Sequence, residues 1–201
     1  KQIILLMAKE TDCGFPILEY SNKLSYKENG HRHGEEFRTA ISELVEIRRD
    51  LMLKKNPSIK SRLEHLGMEQ FQVSKQFSPH LTDELEGIAE GANETLLDLV
   101  ILNNYTDFRD LQLPEEGCST IYSKTSDNAI SGQTWDMHSS AKKYVSVINV
   151  PPREDTPGMV LFSLVGCLGM MGFNTHGLFL GVNNINTLNA KKGLIWPLLV
   201  R

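Results

Sequence analysis

The sequence predicts an α+β fold in which the helices come before the strands. Up to residue 117, apolar side chains recur every three or four positions, which is the period of an amphipathic helix. From residue 118 onward, short segments rich in Val, Ile, Thr and aromatic residues alternate with turn residues, as β-strands do. The length of 201 residues suits one domain. We therefore predict a single domain built from a mainly helical segment, 1–117, and an antiparallel β segment, 118–201.

Four helices are predicted in the first segment. The clearest apolar stripe follows a turn expected at Asn29-Gly30, and Asn56-Pro57 ends that helix because proline cannot continue it. A polar stretch over residues 107–116 is expected to form an exposed loop. The predicted helices span about 35–55, 58–76, 79–89 and 96–104.

Local signals set the later helix boundaries. Ser78 stands at an N-cap position before a proline, and Thr95 lies three residues before Asp98, a variant of the capping box. Gly87 and Gly91 are expected to loosen the end of the third helix, since glycine is a poor helix former.

The strands form a second group. A weak strand is expected between residues 15 and 22, and the apolar Lys1–Ala8 is either a first strand or the remainder of a targeting signal. After residue 117, six strands with short links predict an antiparallel meander, with a tight hairpin turn over residues 175–177. These six strands span about 118–123, 129–136, 144–150, 159–165, 170–174 and 178–183.

Charge and hydropathy exclude several protein classes. No apolar run approaches the roughly 20 residues that span a bilayer. The formal net charge of −4 argues against a nucleic-acid-binding protein. Residues 1–117 carry 21 acidic and 14 basic side chains, whereas residues 118–201 carry 4 acidic and 7 basic ones. The two segments are therefore either electrostatically complementary or unequal by chance.

The cysteines and histidines do not form a metal-binding pattern. Three cysteines at wide spacings, Cys13, Cys118 and Cys167, make neither a disulfide framework nor a zinc ligand set. His31 and His33 are expected at a turn and a helix entry. No metal site is predicted.

Cys118 is the strongest candidate for chemistry. A lone cysteine is commonly a buried, inert residue, and Cys167 is interpreted in that way. Three features distinguish Cys118: Gly117 leaves the preceding peptide accessible, hydroxyl residues follow it, and Asp136 lies 18 residues on, where a hairpin would bring it near. The sequence therefore predicts a nucleophilic thiol with a carboxylate partner.

Several motifs in a fixed order carry a resemblance to a known family. From about residue 16 to residue 190 the chain resembles the C45 peptidase family of N-terminal-nucleophile hydrolases. The matching motifs are Gly30 with His33-Gly34, Leu85 with Gly87-Ile88-Ala89 and Gly91-Ala92, the Leu102-Asn103 region, Gly117-Cys118-Ser119-Thr120 with Tyr122, Gly132-Gln133-Thr134-Trp135-Asp136, and Gly172-Phe173-Asn174 with Gly177.

This resemblance implies a four-layer αββα sandwich and a precursor that cuts itself between Gly117 and Cys118. Cys118 would be the nucleophile, and Asp136 would match the aspartate of the family's Asn-Trp-Asp element, although Thr134 replaces the asparagine. Asn183 or Asn184 would match an active-site asparagine of the related bile-salt hydrolase branch. The family pattern continues beyond Arg201 with further strands, so the sandwich is expected to be incomplete at the C-terminus of this sequence.

Apolar side chains near the motifs are candidates for an acyl pocket. Trp135, Met137 and Phe173 are the predicted substrate-pocket residues, with Met170 and Met171 beside them; the alternative is that all of these are core. His138 follows the Trp-Asp element and either touches substrate or lies on the surface.

The predicted function is that of an autoproteolytically activated cysteine amidohydrolase or acyltransferase acting on linear amide or thioester bonds. The alternatives are a bile-salt or N-acyl amide hydrolase and a non-catalytic fragment or assembly module with the same fold. No cofactor is predicted, with acyl-coenzyme A considered as a substrate. The expected partners are a small-molecule acyl substrate and the α and β chains of one precursor, with homo-oligomers left open, no nucleic acid and no membrane span. The expected compartment is the cytoplasm, with secretion or a periplasmic location as alternatives.

Overall fold

The computed structural model describes residues 14–109, 117–184 and 191–201, and its architecture is mixed α+β. The predictions for Lys1–Ala8, for Cys13 and for the part of the loop at 110–116 concern residues outside the described ones. The helices are α1 Tyr26–Glu36, α2 Arg38–Lys55, α3 Leu63–Phe77, α4 Pro79–Ala92, α5 Leu96–Asn103 and α6 Tyr105–Arg109. The strands are β1 Ile17–Glu19, β2 Thr120–Lys124, β3 Ala129–Gln133, β4 Val145–Val150, β5 Met159–Leu164, β6 Met171–Asn174 and β7 Phe179–Leu180.

Helix α1 runs through the turn that was predicted at Asn29-Gly30. Ser25 caps it by accepting a hydrogen bond from the backbone N–H of Glu28 at 3.1 Å, and the Glu28 carboxylate accepts the backbone N–H of Ser25 at 2.7 Å. The sequence contains both residues of this capping box. The helix that starts there continues through Asn29-Gly30 despite the turn preference of that pair. The turn prediction was wrong, and a break at Phe37 separates α1 from α2 instead.

Glycines let α1 and α4 pack with their backbones in contact. A methyl group on Gly30 would lie 2.1 Å from the carbonyl oxygen of Glu84, and one on Gly87 would lie 2.1 Å from that of Lys27. A methyl group on Gly91 would lie 2.0 Å from the carbonyl oxygen of His31. The expectation that Gly87 and Gly91 loosen α4 was therefore wrong: the helix runs through them to Ala92, because the packing contact needs their lack of a side chain.

A buried polar chain joins this helix pair to the rest of the fold. The backbone N–H of Gly166 donates to His33 Nε2 at 3.0 Å, His33 Nδ1 lies 3.1 Å from the Tyr20 hydroxyl, and that hydroxyl donates to Glu84 at 3.0 Å. Arg201 completes the chain by donating to the other Glu84 oxygen at 2.6 Å. His33 is fully buried inside α1, so the prediction of a helix-entry histidine was wrong. Burial, with a smaller contribution from Arg201, lowers the pKa of His33 to about 3.

The strands form two sheets rather than one meander. Strands β4 to β7 are antiparallel in chain order, and β1 adds to β4 in parallel, so the helical segment contributes an edge strand. Strands β2 and β3 form a separate hairpin. On the five-stranded sheet, the face carrying Ile148 and Leu161 is fully buried, whereas Val160 and Phe162 on the other face are partly exposed and line an apolar groove of about 580 Å³.

Ion pairs connect the acidic and the basic segment. Lys143 contacts Glu43 at 2.6 Å and Lys192 contacts Glu69 at 2.5 Å, each joining a residue after 117 to one before it. The pair Arg201–Glu84 does the same in the interior. Some of the acidic side chains of the first segment therefore form ion pairs with basic side chains of the second.

The described helices include none that is long and apolar enough to cross a bilayer. Within the same residues, no three His, Cys, Asp or Glu side chains cluster in a way that could hold a metal ion.

Candidate active site

Cys118 lies where the helical and β segments meet. It precedes β2, is half-buried, and lines a cavity of about 150 Å³. The helical segment contributes Arg48 and Asn103 to the wall, among other residues, and the β segment contributes Trp135 and Met137. The two halves of the sequence thus build one site around the predicted nucleophile.

The β2–β3 ladder fixes the position of Cys118. Thr120 pairs with Gln133, and the pairing continues one step further, because the Thr134 N–H donates to the Ser119 carbonyl at 2.9 Å and the Ser119 N–H donates to the Thr134 hydroxyl at 3.0 Å. Trp135 and Cys118, the residues that follow and precede this pair, both line the cavity. Thr134 therefore holds the residue next to the cysteine through these two hydrogen bonds.

A glutamine side chain brings the two candidate asparagines to the cavity. Gln133 clamps the backbone of Val182, donating to its carbonyl at 2.5 Å and accepting its N–H at 2.6 Å. A methyl group on Gly181 would lie 2.5 Å from the Gln133 side-chain oxygen, so the lack of a side chain at Gly181 leaves room for this contact. Asn183 and Asn184 follow directly and both line the cavity.

Asn183 is also tied to the strand that follows Cys118. The Thr120 hydroxyl donates to the Asn183 side-chain oxygen at 3.0 Å. The bond uses the side-chain oxygen of Asn183. The N–H₂ group of the same amide, which is a hydrogen-bond donor, takes no part in it. Both asparagines are exposed, and both line the same cavity as Cys118.

Asp136 follows the β2–β3 hairpin, and it is not part of the cavity wall formed by the described residues. Its side chain is exposed. Gly117 is exposed as well, and a side chain there would meet no described atom within 4 Å. Among the described residues, the two asparagines line the cavity with Cys118, whereas Asp136 does not.

The predicted pocket residues divide between two surfaces. Trp135 and Met137 line the Cys118 cavity and also the apolar groove on the open face of the sheet. Trp135 packs edge-on against Phe162, with ring centroids 5.6 Å apart. Phe173 lines the groove only, and Met170 and Met171 line the cavity while belonging to the buried core.

The remaining candidates lie away from the cavity. His138 is exposed and caps a short 3₁₀ helix by accepting the Ser140 N–H at 3.3 Å. Cys167 is fully buried in the core, where burial raises the pKa of its thiol to about 12. The prediction that Cys167 is a small buried apolar residue is confirmed.

Two polar residues of the cavity were missed in the sequence. Arg48 is buried on α2 and is one of the residues that line the cavity. Its sequence signal was a charged residue four positions from both Leu44 and Met52 on a buried stripe. Asn103 belongs to a region that was named among the matching motifs, but it was not predicted as a site residue. Its side chain donates to the Gly166 carbonyl at 3.0 Å and accepts the Leu168 N–H at 3.1 Å, which fixes the turn after β5 beside the cavity.

Comparison with known proteins found similarity to an acyltransferase. No protein-family model matches the chain. Over 160 residues, 79% of its length, the chain is 30% identical to the acyl-coenzyme A:6-aminopenicillanic-acid-acyltransferase 40 kDa form of Emericella nidulans. The matched region is 44% of that protein, so the chain spans less than half of its length. The chain is thus similar to part of an acyltransferase, and the similarity covers most of the residues described above.

Proposed function

We propose that this chain carries the nucleophile of a cysteine N-terminal-nucleophile enzyme, which is activated by self-cleavage and hydrolyses or transfers acyl groups at linear amide or thioester bonds. The observation that carries the proposal is the place of Cys118. Its thiol lies on a half-buried residue at an apolar cavity, directly after an exposed glycine and beside two asparagines. The similarity to an acyltransferase supports the reaction class.

Self-cleavage would use the same thiol first. The Cys118 sulfur attacks the Gly117 carbonyl carbon, the C–N bond to Cys118 breaks, and the Cys118 nitrogen takes the thiol proton, which gives a thioester and a free α-amine. Water then hydrolyses the thioester into a Gly117 carboxylic acid and the Cys118 thiol. The exposure of Gly117 and the open space around it suit attack on this carbonyl.

The acyl-transfer cycle would follow from the new N-terminus. A free α-amine has a pKa near 8, so it can accept the thiol proton near neutral pH without a histidine. The thiolate adds to the substrate carbonyl, the leaving group departs with the proton held by the amine, and an acyl thioester remains on Cys118. Water or an amine then attacks this thioester and releases an acid or a new amide.

The neighbouring side chains have separate roles in this proposal. The Asn183 and Asn184 amides are donors for the oxyanion that forms on the attacked carbonyl, a contribution typically of about 3–4 kcal/mol. Asp136 lies three residues after Gln133, where β3 ends, and would hold the ammonium of Cys118 after cleavage and raise its pKa, since a carboxylate beside an ammonium favours the charged form.

The experiment is to determine the N-termini of the full-length protein by intact mass spectrometry and N-terminal sequencing. We expect a chain that begins Cys118-Ser119-Thr120, and we expect Cys118→Ala to remain uncut. Cys167→Ala is the matched control and should be processed normally, because Cys167 is buried in the core. Acyl-transfer or amidase activity in a protein that is never cut before Cys118 would rule the proposal out.

A second measurement separates transfer from hydrolysis. The processed protein is given an acyl thioester with and without a primary amine, and the products are separated by chromatography. A transferase yields the amide at the expense of the free acid, whereas a hydrolase yields the acid in both cases. The same labelled thioester should acylate Cys118 itself, which peptide mapping detects.

A further inference from the structure

A hydrogen bond joins Thr120, on the strand that follows Cys118, to Asn183 in the cavity wall. The Thr120 hydroxyl donates to the Asn183 side-chain oxygen at 3.0 Å, although the two residues lie 63 positions apart. Asn183 lines the cavity together with Cys118, whereas Thr120 is no part of the wall formed by the described residues. An effect of the Thr120 hydroxyl on a ligand in this cavity would therefore pass through Asn183.

The fold holds both partners of this hydrogen bond in place. Thr120 pairs with Gln133 in the β2–β3 ladder, and the Gln133 side chain holds Val182, the residue before Asn183, by two hydrogen bonds. A methyl group on Gly181 would lie 2.6 Å from the Thr120 hydroxyl oxygen and 2.7 Å from the Thr120 methyl carbon. Because these contacts bring the two backbones together, the exposed side-chain bond forms with little further loss of conformational entropy.

The bond determines which end of the Asn183 amide is turned toward Thr120. A primary amide has an acceptor oxygen on one branch and an N–H₂ donor on the other. Because the oxygen is held at Thr120, the N–H₂ group is turned away from it. In the reverse orientation the oxygen would take the place of the N–H₂ group, and an oxygen cannot donate to the negative charge that forms on an attacked carbonyl.

We propose that Thr120 is a positioning residue: its hydroxyl holds the Asn183 amide so that the N–H₂ group donates to the oxyanion formed during acyl transfer. This inference rests on the proposed function and deepens it, because it adds the residue that orients one of the two oxyanion asparagines. A donor that is oriented before the reaction stabilises the transition state without first having to turn.

Two reactions of the same thiol separate an effect on the oxyanion from an effect on the thiol. When S-phenyl thioacetate acylates Cys118, the sulfur adds to the carbonyl carbon, the negative charge moves to the oxygen, and thiophenolate leaves as the carbonyl re-forms. When iodoacetamide alkylates Cys118, the sulfur displaces iodide from a CH₂ carbon and no oxyanion forms. The ratio of the acylation rate to the alkylation rate therefore reports on the oxyanion donor.

Both rates are measured on the processed full-length protein, by thiophenol release and by peptide mass spectrometry, after subtraction of the rates of Cys118→Ala. Thr120→Val keeps the shape of the side chain and removes the hydroxyl, so the ratio should fall about tenfold, since a misplaced donor loses much of its effect. Thr120→Ser keeps the hydroxyl and should retain most of the ratio. Ser123→Ala is the matched control, because it removes a hydroxyl from another exposed residue of β2; its ratio should be that of the wild type.

The opposite pattern would show that Thr120 acts by packing. A steric contact with Gly181 depends on the methyl group rather than on the hydroxyl, so Thr120→Ser would then be impaired and Thr120→Val would not. That pattern would overturn the proposal. An unchanged ratio in Thr120→Val would do the same, whether both rates fall equally or neither does.

A double-mutant cycle tests whether Thr120 acts through Asn183. Removal of an oxyanion donor in Asn183→Ala should lower the ratio about 100-fold. If Thr120 only orients that donor, the double variant should have the ratio of Asn183→Ala, because both changes remove the same interaction. A double variant in which the two effects multiply would refute the assignment, as would a Thr120→Val protein that folds but is not cut while Asn183→Ala is cut.

The two proposals fail in different ways. If the wild type is cut before Cys118 and Thr120→Val keeps the wild-type ratio, the proposed function stands and the role of Thr120 is refuted. If no chain begins at Cys118, the proposed function fails, and the same ratio for the thiol of the uncut protein still decides whether Thr120 orients an oxyanion donor. Should Thr120→Val not fold, Thr120→Ala is compared with Thr120→Ser, a pair that differs only in the hydroxyl.

Discussion

The α1–α4 helix pair and the β2–β3 hairpin are held in place by different kinds of contact. The helices pack through glycines at backbone distance, and their buried polar groups are linked from His33 to Glu84 through Tyr20. Every residue of β2 is exposed, and Ile121 is 64% exposed. The hairpin that follows Cys118 is thus held mainly by hydrogen bonds, whereas the helix pair is held by packing.

Because of this difference, we expect the helix pair to determine mainly the stability of the fold and the region near Cys118 to determine mainly turnover. Substitutions in the helix pair are expected to change the free energy of unfolding, since a well-packed interior tolerates little added volume. Substitutions near Cys118 are expected to change turnover at small cost in stability, since exposed sites usually contribute less than about 0.5 kcal/mol. The following predictions test whether the two regions behave so differently.

The largest effect is expected for Gly87→Ala. The added methyl group would lie 2.1 Å from the Lys27 carbonyl oxygen, and a helix backbone cannot move away as a side chain can. We expect a loss of about 3 kcal/mol or more in the free energy of unfolding, measured by urea denaturation. Gly67→Ala in α3 is the control: its methyl group meets the flexible Leu97 side chain at 2.7 Å, and we expect a change within about 1 kcal/mol.

The next effect is a loss of stability in acid that depends on His33. Its pKa is about 3 in the folded protein and near 6.5 when unfolded, so below pH 6.5 only the unfolded chain binds the proton. Stability is therefore complete above pH 6.5 and decreases as the pH falls toward 3. Between pH 7 and pH 4.5 the loss from this residue is about 2–3 kcal/mol.

Urea denaturation of His33→Gln across this pH range measures the contribution. The variant should be less stable at pH 7 but should lose less stability on acidification than the wild type. His65→Gln, on the exposed surface of α3, should retain the wild-type pH dependence. Equal pH dependence in the wild type and in His33→Gln would show that the buried chain does not couple the helix pair to protonation.

A smaller effect on stability is expected for Gln133→Ala. The substitution removes both hydrogen bonds to Val182, at about 0.5–1.5 kcal/mol each, so a loss of about 1–2 kcal/mol is expected. Because Val182 precedes the two asparagines of the cavity, turnover should fall more than the loss of folded protein explains. Ser131→Ala in the same strand should change neither quantity, and a Gln133 variant with full activity per folded molecule would show that the clamp is not needed.

The smallest effect on stability is expected for Asp136→Asn. Asp136 is exposed, so we expect a change within about 0.5 kcal/mol, together with the loss of most turnover and slower alkylation of Cys118 near pH 7. Melting and activity are measured on one preparation. A lowered melting temperature with an unchanged rate per folded molecule would make Asp136 a structural residue and would contradict the separation of the two regions.

The end of one helix and the start of another were predictable because their signals are local. Asn56-Pro57 ends α2, and Thr95 caps α5 by accepting the Asp98 N–H, as the sequence indicates. The hairpin turn before Leu178 was predictable for the same reason. Each of these features depends on residues within four positions of each other, so a short stretch of sequence contains the whole interaction.

The sequence alone therefore determined the order of helices and strands and the place of Cys118 at their junction. Tertiary structure decided that Gly87 packs against Lys27, that Arg48 reaches Met137 and that Gln133 holds Val182, across separations of 60, 89 and 49 residues. No local pattern specifies such partners, because a glycine, an arginine or a glutamine has the same intrinsic preferences whether it lies on the surface or against another backbone. Of these contacts, the one between Arg48 and Met137 joins the helical and the β segment in the wall of the cavity that Cys118 lines.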